Sequence, residues 1–264
     1  MPINFILSYA DDTVIIASDD TWGLAQDRMN GYLDQVSTWL ALNRLSLNIN
    51  KTVYMTFGNY CDSVPIALDI TIQSQRVTRV EKHKYLGIHF DFNMKWDIHI
   101  ANIIKRTKYL IFILAELKRS MDSKTQLILY YAFFHSIINY GITAWSGAYK
   151  NNMSMLQRQQ TMIMKIIDRS GTFEGSPPLN INQLLTLESL MLHYEPLKSM
   201  YGNIERNTRY KSLQISKLNR VVGTKNYYFV AIRAFNQLPN NLKVLNCNKE
   251  SVKKRLKAFM GAVY

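Results

Sequence analysis

The period of hydrophobic and polar positions changes along the chain and divides it in two. Up to Asp91 the apolar residues stand mostly in short runs, which predict strands, with one helical segment between Trp22 and Leu40. From Lys95 onwards the apolar positions recur at helical spacing. The pattern therefore predicts an α+β fold in which short strands come first and helices follow.

Two apolar runs close to the start surround a pair of acidic residues, Asp11 and Asp12. Runs rich in β-branched residues predict strands, so the acidic pair is expected at the turn of a hairpin. Aspartate is a common turn residue, and the dipeptide alone favours a plain turn. However, two carboxylates at one turn repel each other, and a divalent cation would offset that repulsion. Both interpretations stay open at this point.

A long amphipathic helix is expected after the hairpin, because Asp19, Asp20 and Thr21 provide side chains that cap helix N-termini. We expect most of its apolar stripe to pack against the hairpin. The stripe consists of Trp22, Ala25, Met29, Tyr32, Leu33, Val36, Trp39 and Leu40.

Residues 45–58 change from helical to alternating period, which predicts a loop and then a strand ending at Gly58. Lys51 stands at the junction, where a cation could reach the acidic turn, although a solvated lysine is the simpler local interpretation. Short strands are expected at 66–72, 76–80 and 85–90, with a polar turn at 73–75. Gly87 falls inside the last of these, and such a glycine often marks a bulge or a close backbone approach.

A long helix is expected over residues 98–119, with Ile100, Ile103, Leu110, Leu114 and Leu117 on one side. The opposite side carries Lys105, Lys108 and Arg119 with Phe112 among them, and Glu116 interrupts it. A basic stripe with an aromatic insert suits a nucleic-acid backbone. A charged face in contact with solvent is an equally good interpretation.

Further helices are expected along the rest of the chain. Asp122 should cap a helix that ends at Gly141, and residues 153–167 should form the next one. Glycine and proline in 171–178 predict a domain boundary. Together with the change to helical spacing at Lys95, this predicts domains at 1–94, 95–170 and 179–264. Beyond the boundary we expect a helix over 181–204 interrupted at Pro196 and a polar, basic loop at 205–220. A short helix at 227–238, closed by Pro239, and a basic terminal helix at 251–259 should follow.

Composition points to a polyanionic partner. Lys and Arg outnumber Asp and Glu by 32 to 19, a net charge of +13, which favours nucleic acid over a membrane. Cys61 and Cys247 have no zinc-ligand spacing and are expected to be free thiols in a reducing compartment. The longest apolar stretches fall well short of the roughly 20 residues of a spanning helix, and no secretory signal is visible. The expectation is a soluble protein, cytoplasmic or nuclear.

Several ordered motifs resemble those of the reverse transcriptases of non-LTR, LINE-type retrotransposons, most closely the jockey-like kind. Residues 129–145 and 156–167 resemble the helical thumb of these enzymes, and 234–239 with the basic tail resembles the stretch that follows it. The palm motifs are Tyr9-Ala10-Asp11-Asp12 (catalytic motif C), Leu45-Ser46-Leu47-Asn48 with Asn50-Lys51-Thr52 and Phe57 (motif D), and Tyr85-Leu86-Gly87 with Asp91 (the strand pair that grips the primer).

The resemblance implies a partial polymerase palm, with a hairpin, a helix and short antiparallel strands, followed by a helical thumb and a helical C-terminal region. It implies an RNA template, a DNA primer and deoxynucleoside triphosphates as partners, and two Mg²⁺ ions as cofactors. By resemblance, Asp11 and Asp12 are metal ligands, and Lys51 lies near the nucleotide phosphates and protonates pyrophosphate. Nucleic-acid contacts are expected from Tyr9, Tyr85, Leu86, Gly87, Lys105, Lys108 and Arg119.

The family's site also needs an aspartate from an earlier palm strand, together with fingers, and the sequence offers no match to either. Asp19 and Asp20 stand about 20 Å from the hairpin tip at roughly 3.3 Å per residue, which is too far. We therefore expect the chain to be inactive alone, with a preceding part of the same polyprotein supplying the missing aspartate. Two rival interpretations are a non-catalytic nucleic-acid-binding remnant, and a fragment that has no retained role and folds poorly.

Overall fold

The computed structural model describes residues 5–58, 68–145, 150–168, 177–203, 212–213 and 227–263, and the structural statements below concern these residues. The chain forms two compact units, Met1–Asn93 and Met94–Tyr264. Strands lie in the first unit and helices dominate the second. The predicted α+β class is therefore confirmed.

The first unit contains one long helix and short strands that associate in pairs. Three described pairs are antiparallel, but β3 and β6 pair in parallel, contrary to the expected antiparallel arrangement. The elements are β1 (Phe5–Tyr9), β2 (Asp12–Ile16), α1 (Trp22–Leu42), a 3₁₀ turn (Ile49–Lys51), β3 (Val53–Tyr54), β4 (Thr71–Ile72), β5 (Gln75–Arg76), β6 (Thr78–Arg79), β7 (Lys82–Tyr85) and β8 (Ile88–Asp91).

Helix α1 is fixed against the strand segment around β4. Leu33 is buried with Ile70, Ile72 and Val77 in a small core, and Ile15 of β2 packs against it. The amide side chain of Asn30 donates to the backbone oxygen of Asp69 (2.9 Å) and accepts from the backbone nitrogen of Thr71 (3.1 Å). Asn30, a polar residue of α1, therefore holds the helix against the backbone of residues 69–71.

The apolar stripe of α1 is only partly covered, and the prediction that most of it is core is wrong at Trp39. The Trp39 side chain is 57% exposed to solvent, and Leu33 is the one residue of the stripe that is buried. The strands that face α1 are two to five residues long and associate only in pairs. Their combined surface is too small to cover a 21-residue helix.

The second unit is helical, as its periodicity predicts. A π-helical turn, Tyr130–His135, joins α3 to α4, and a 3₁₀ turn, Leu117–Arg119, extends α2. The helices are α2 (Asp97–Glu116), α3 (Ser123–Leu129), α4 (Ser136–Asn139), α5 (Ile142–Trp145), α6 (Lys150–Ile167), α7 (Ile181–Gly202), α8 (Tyr227–Gln237), α9 (Asn240–Lys243) and α10 (Lys249–Val263). No helix in the described ranges combines the length and apolar character needed to cross a membrane.

The predicted interruption of α7 at Pro196 is wrong, because the helix runs through this residue to Gly202. A proline inside a helix removes one backbone hydrogen bond and typically costs about 3 kcal/mol. Tertiary contacts on both sides compensate: Tyr194 Oη donates to the backbone oxygen of Leu242 (2.5 Å), and Lys198 Nζ donates to that of Leu245 (2.7 Å). Packing of α7 against α8 therefore overrides the local signal.

Several predictions fall outside the described residues. These are the fate of Cys61, the beginning of the strand expected at 66–72, most of the predicted boundary at 171–178, and nearly all of the loop expected at 205–220. Cys247 is described, and it is a half-buried free thiol as predicted.

Candidate functional site

The two acidic residues lie at the end of a tight hairpin, as the sequence predicts, but only Asp11 is in the turn and Asp12 is the first residue of β2. β1 and β2 pair from Phe5 opposite Ile16 to Tyr9 opposite Asp12, which leaves Ala10 and Asp11 as a two-residue turn. Ala10 has a φ of 53°, a left-handed conformation that non-glycine residues adopt at a cost of roughly 1–2 kcal/mol. Strained backbone of this kind is found disproportionately at functional sites.

The two faces of the hairpin have different roles. Ser8 and Thr13 share one face, where their hydroxyl groups are 3.2 Å apart, and Ile15 on this face packs into the core with α1. Side chains alternate along a strand, so the paired residues Tyr9 and Asp12 project from the opposite face. Tyr9 is 67% exposed there. The hairpin therefore presents an aromatic ring and a carboxylate side by side, next to Asp11 in the turn.

The donor set of this tip suits a hard cation. Mg²⁺ prefers oxygen ligands, keeps several waters, and commonly binds proteins through one or two carboxylates. Asp11 and Asp12 are both exposed and offer two adjacent carboxylates. Among the described residues no group of three or more Asp, Glu, His or Cys side chains is placed to hold a metal ion. The tip thus offers two of the oxygen ligands that a Mg²⁺ ion could use.

Asp19 does not extend this set, in agreement with the distance argument. Its carboxylate forms an ion pair with Arg28 Nη2 at 2.6 Å and is mostly buried. Thr21, and not either aspartate, caps α1 by accepting a hydrogen bond from the backbone nitrogen of Leu24 (3.3 Å). Asp19 and Asp20 therefore belong to the segment that leads into α1 and not to the hairpin tip.

Lys51 is the last residue of the 3₁₀ turn Ile49–Lys51, and its side chain is exposed. Asn48 caps this turn by accepting from the backbone nitrogen of Lys51 (3.3 Å), and Thr52 Oγ1 donates to the backbone oxygen of Asn48 (3.1 Å). The motif residues around Lys51 therefore set its backbone position. In the described part of the chain no ion pair joins Lys51 to Asp11 or Asp12.

Tyr85, Leu86 and Gly87 lie at a hairpin turn and not inside one strand, so the predicted strand 85–90 and its bulge are wrong. Tyr85 pairs with Ile88 across a two-residue turn in which Leu86 and Gly87 have φ of 45° and 80°. Positive φ at both central positions is typical of the turns that best match strand twist. Gly87 adopts the positive φ of this turn without steric strain. The residues on either side of the turn form two strands, β7 and β8, and not one.

Lys105 and Lys108 are exposed on α2, and Arg119 is exposed in the 3₁₀ turn that follows. Phe112, 60% exposed, lies on the same face. The sequence interpretation missed Tyr109, which is 67% exposed and stacks on Phe112 with ring centroids 6.3 Å apart. The spacing of three residues between Tyr109 and Phe112 could have revealed this pair, because residues three apart are neighbours on a helix surface.

Comparison with known proteins gives three related curated sequences. The chain is 28% identical over 169 residues to the RNA-directed DNA polymerase from mobile element jockey of Drosophila funebris, and 29% identical over 166 residues to that of Drosophila melanogaster. It is 25% identical over 166 residues to the probable RNA-directed DNA polymerase from transposon BS of Drosophila melanogaster. Each match covers 61% of this chain and 18% of the relative, so the chain spans less than a fifth of those proteins in each match. No protein-family model and no solved structure matches the chain.

Proposed function

We infer that this chain, a relative of part of the reverse transcriptases of non-LTR, jockey-like retrotransposons, supplies palm and thumb elements for template-directed nucleotidyl transfer. The observation that carries the proposal is the exposed Asp11–Asp12 pair at a strained two-residue hairpin turn. In this proposal the first unit is a partial palm. Helices of 95–170 form a thumb, and 179–264 form a helical C-terminal region.

The proposed chemistry is the attack of a primer 3′-hydroxyl on the α-phosphate of a nucleotide. Bound divalent ions would activate the attacking oxygen and stabilise the leaving pyrophosphate. Asp11 and Asp12 would hold these ions, because their carboxylates are adjacent and exposed. Tyr9, on the face shared with Asp12, would pack beside the primer terminus. Lys51 would neutralise the leaving phosphates and protonate pyrophosphate, while the turn at Tyr85, Leu86 and Gly87 holds the primer backbone.

Cation binding at the hairpin is tested directly with Mn²⁺, a paramagnetic substitute for Mg²⁺. Titration of the 264-residue chain should broaden the amide resonances of residues 10–13 first, and excess Mg²⁺ should restore them. Asp11→Asn and Asp12→Asn should each weaken this broadening. Asp27→Asn, an exposed acid on α1, is the control that should leave it unchanged. Equal broadening around Asp27 and Asp11 would show only non-specific attraction to surface acids.

We propose that the 264-residue chain alone does not polymerise. Two carboxylates leave the cation site short of ligands, since no third acid of the described residues joins them. The assay is primer extension on an RNA template with Mg²⁺, where no product is expected. Template-dependent incorporation that Asp11→Asn abolishes would overturn the proposed inactivity while supporting the proposed site.

A second candidate function, nucleic-acid binding without catalysis, is favoured by the exposed lysines of α2. Reversing Lys105 and Lys108 to Glu should weaken binding to a primer–template duplex and reduce the dependence of affinity on salt, because fewer counterions are released. The matched control is Lys254→Glu with Arg255→Glu, exposed cations on α10. Absence of binding by the unaltered chain at low salt would rule out this function.

The rival interpretation, that the chain is a fragment with no retained function, is supported by its exposed apolar surface. Phe5, Ile6 and Leu7 of β1 are each more than half exposed, on both faces of the hairpin. Apolar surface of this kind favours association and aggregation. A sharp, reversible melt of the monomeric chain would count against this rival.

A further inference from the structure

Helices α2 and α6 of the second unit lie side by side and run in the same direction. Near their beginnings Asn152 Nδ2 donates to the Asp97 carboxylate (2.6 Å). Ten residues further along α2, Thr107 Oγ1 is hydrogen-bonded to Gln159 Oε1 (2.7 Å), and Gln159 Nε2 donates to the backbone oxygen of Ile104 (3.2 Å). The residue numbers of the contacting pairs increase together along both helices, so the helices are parallel. Each residue of α2 lies beside a residue of α6 whose number is 52 to 55 higher.

This register brings the exposed stripe of α6 beside the basic face of α2. Met155, Arg158, Met162 and Lys165 are all exposed, and their spacing of three, four and three residues places them on one side of α6. On the adjacent side of α2, Lys108 falls at the level of Met162, and Phe112 at the level of Lys165. The two helices thus form one surface, which we call the α2–α6 platform.

Charge on the α2–α6 platform is almost entirely positive. Residues 150–167 contain no Asp or Glu, and the two acids of α2, Asp97 and Glu116, stand at its two ends. Lys105, Lys108, Arg158 and Lys165 are exposed cations on this surface. Such a density of cations with few acids among them suits a phosphate backbone.

Aromatic rings provide the second feature of the platform. The Tyr109 and Phe112 rings lie 25° from coplanar and are 67% and 60% exposed. Large aromatic side chains normally gain stability by burial, so a stacked pair left in solvent beside cations needs an explanation. Unpaired bases stack on such rings, whereas the bases of a duplex are already stacked on each other.

We propose that the α2–α6 platform binds single-stranded nucleic acid, with Tyr109 and Phe112 stacking on unpaired bases and Arg158 and Lys165 of α6 holding phosphates together with Lys105 and Lys108. This deepens the nucleic-acid-binding role proposed for α2 and rests on it, but it is independent of the hairpin. Met155 and Met162 supply adaptable apolar contact to bases or sugars between the cations.

Binding is measured by fluorescence anisotropy of the 264-residue chain with a labelled oligo(dT) or oligo(U) strand and with a duplex of equal length. Tyr109→Ala with Phe112→Ala should weaken single-strand binding about tenfold or more, since one base stack is worth roughly 5- to 150-fold. Duplex affinity should change little. The matched control is Ile128→Ala with Phe133→Ala, an apolar pair on the α3 side that is 66% and 56% exposed.

The contribution of α6 is tested with Arg158→Glu and Lys165→Glu. Each should weaken single-strand binding and lower the slope of log affinity against log salt by about one. Lys254→Glu with Arg255→Glu should leave that slope unchanged. An unchanged single-strand affinity in the aromatic variant, or a preference for duplex, would overturn the proposal.

These experiments distinguish failure of the cation-site proposal from failure of the proposal for the α2–α6 platform. Asp11→Asn should leave oligo(dT) binding as it is, so loss of the cation site does not affect the test of the platform. If reversal of Lys105 and Lys108 weakens duplex binding while the aromatic variant binds single strands normally, the platform proposal is wrong and the duplex-binding role stands.

Discussion

Gln160 Nε2 donates a hydrogen bond to Tyr130 Oη at 2.8 Å, with both side chains almost fully buried. The same amide group donates to the backbone oxygen of Leu179 (2.8 Å). Burial raises the pKa of Tyr130 to about 12 although this hydrogen bond opposes the shift. One side chain of α6 therefore holds both the π-helical turn and the segment that leads into α7.

Gln160→Leu should destabilise the second unit by about 2–5 kcal/mol, because the Tyr130 hydroxyl and the Leu179 carbonyl would both stay buried without a partner. Tyr130→Phe should cost less, about 1 kcal/mol, since Gln160 keeps its bond to Leu179. Native-state hydrogen exchange of α3 and α6 amides measures the loss. Arg158→Leu, an exposed change on α6, is the control, and equal effects of all three substitutions would contradict the prediction.

Ala10→Gly should stabilise the β1–β2 hairpin by about 1 kcal/mol, because glycine adopts the positive φ of 53° without strain. The same replacement at Ala101, an exposed position in α2, should instead destabilise by about 1 kcal/mol. Hydrogen exchange of the peptide covering residues 5–16 reports the first change, and that of α2 amides reports the second. Slower exchange at Ala101→Gly or faster exchange at Ala10→Gly would show that backbone strain does not control the turn.

Asn48→Ala should increase hydrogen exchange at residues 49–52 without unfolding the unit, because it removes the side chain that caps the 3₁₀ turn before Lys51. Loss of a capping side chain typically costs about 1 kcal/mol. Asn50→Ala, an exposed replacement inside the same turn, serves as the control. An equal increase in both variants would mean that the Asn48 side chain does not fix the backbone of Lys51.

His135 should make the second unit less stable in mild acid. Burial lowers the pKa of its imidazole, the cations of Lys257 and Lys253 lower it further, and Glu188 opposes them. Because the folded pKa lies below the unfolded value near 6.5, the unfolded chain binds the proton more readily. Stability is therefore complete above that value and declines as the pH falls through the folded pKa.

His135→Gln should flatten this decline, which urea unfolding at pH 7.5 and pH 5 can measure. The remaining histidines are the same in both proteins, so the difference between the two pH profiles isolates His135. Parallel profiles for the variant and the unaltered chain would contradict the assignment. The neighbouring Tyr131 ring, 5.2 Å away by centroid, should keep its packing in the variant.

Local sequence signals were sufficient wherever a short segment decides its own conformation. The hairpin around Asp11, the cap at Asp122 and the end of the helix near Gly141 were all predictable, although the turn falls on Ala10 and Asp11, one residue before the acidic pair. Asp122 accepts from the backbone nitrogen of Thr125 (3.0 Å), and Gly141 adopts a φ of 61°. At Asp122 and Gly141 the residue type supplies the hydrogen bond or the conformation by itself. Ala10 instead adopts its φ of 53° against the preference of alanine.

Other positions depend on neighbours far away in the sequence, and there the local pattern misled. Gly87 belongs to a turn because residues 82–85 find a partner in 88–91, which an isolated glycine cannot reveal. Pro196 stays helical because α7 is held on both sides of it. Trp39 is exposed because too little sheet faces its helix.

The sequence by itself determined most of the helices, the acidic hairpin and the family resemblance, since these rest on period, turn chemistry and ordered motifs. Only the three-dimensional structure decided that Asp12 shares an exposed face with Tyr9 and that α6 lies beside α2. The reason is physical: a helix or strand pattern specifies which side is apolar. The choice of partner and register comes from side chains such as Gln159, whose hydrogen bonds form only when the two elements meet.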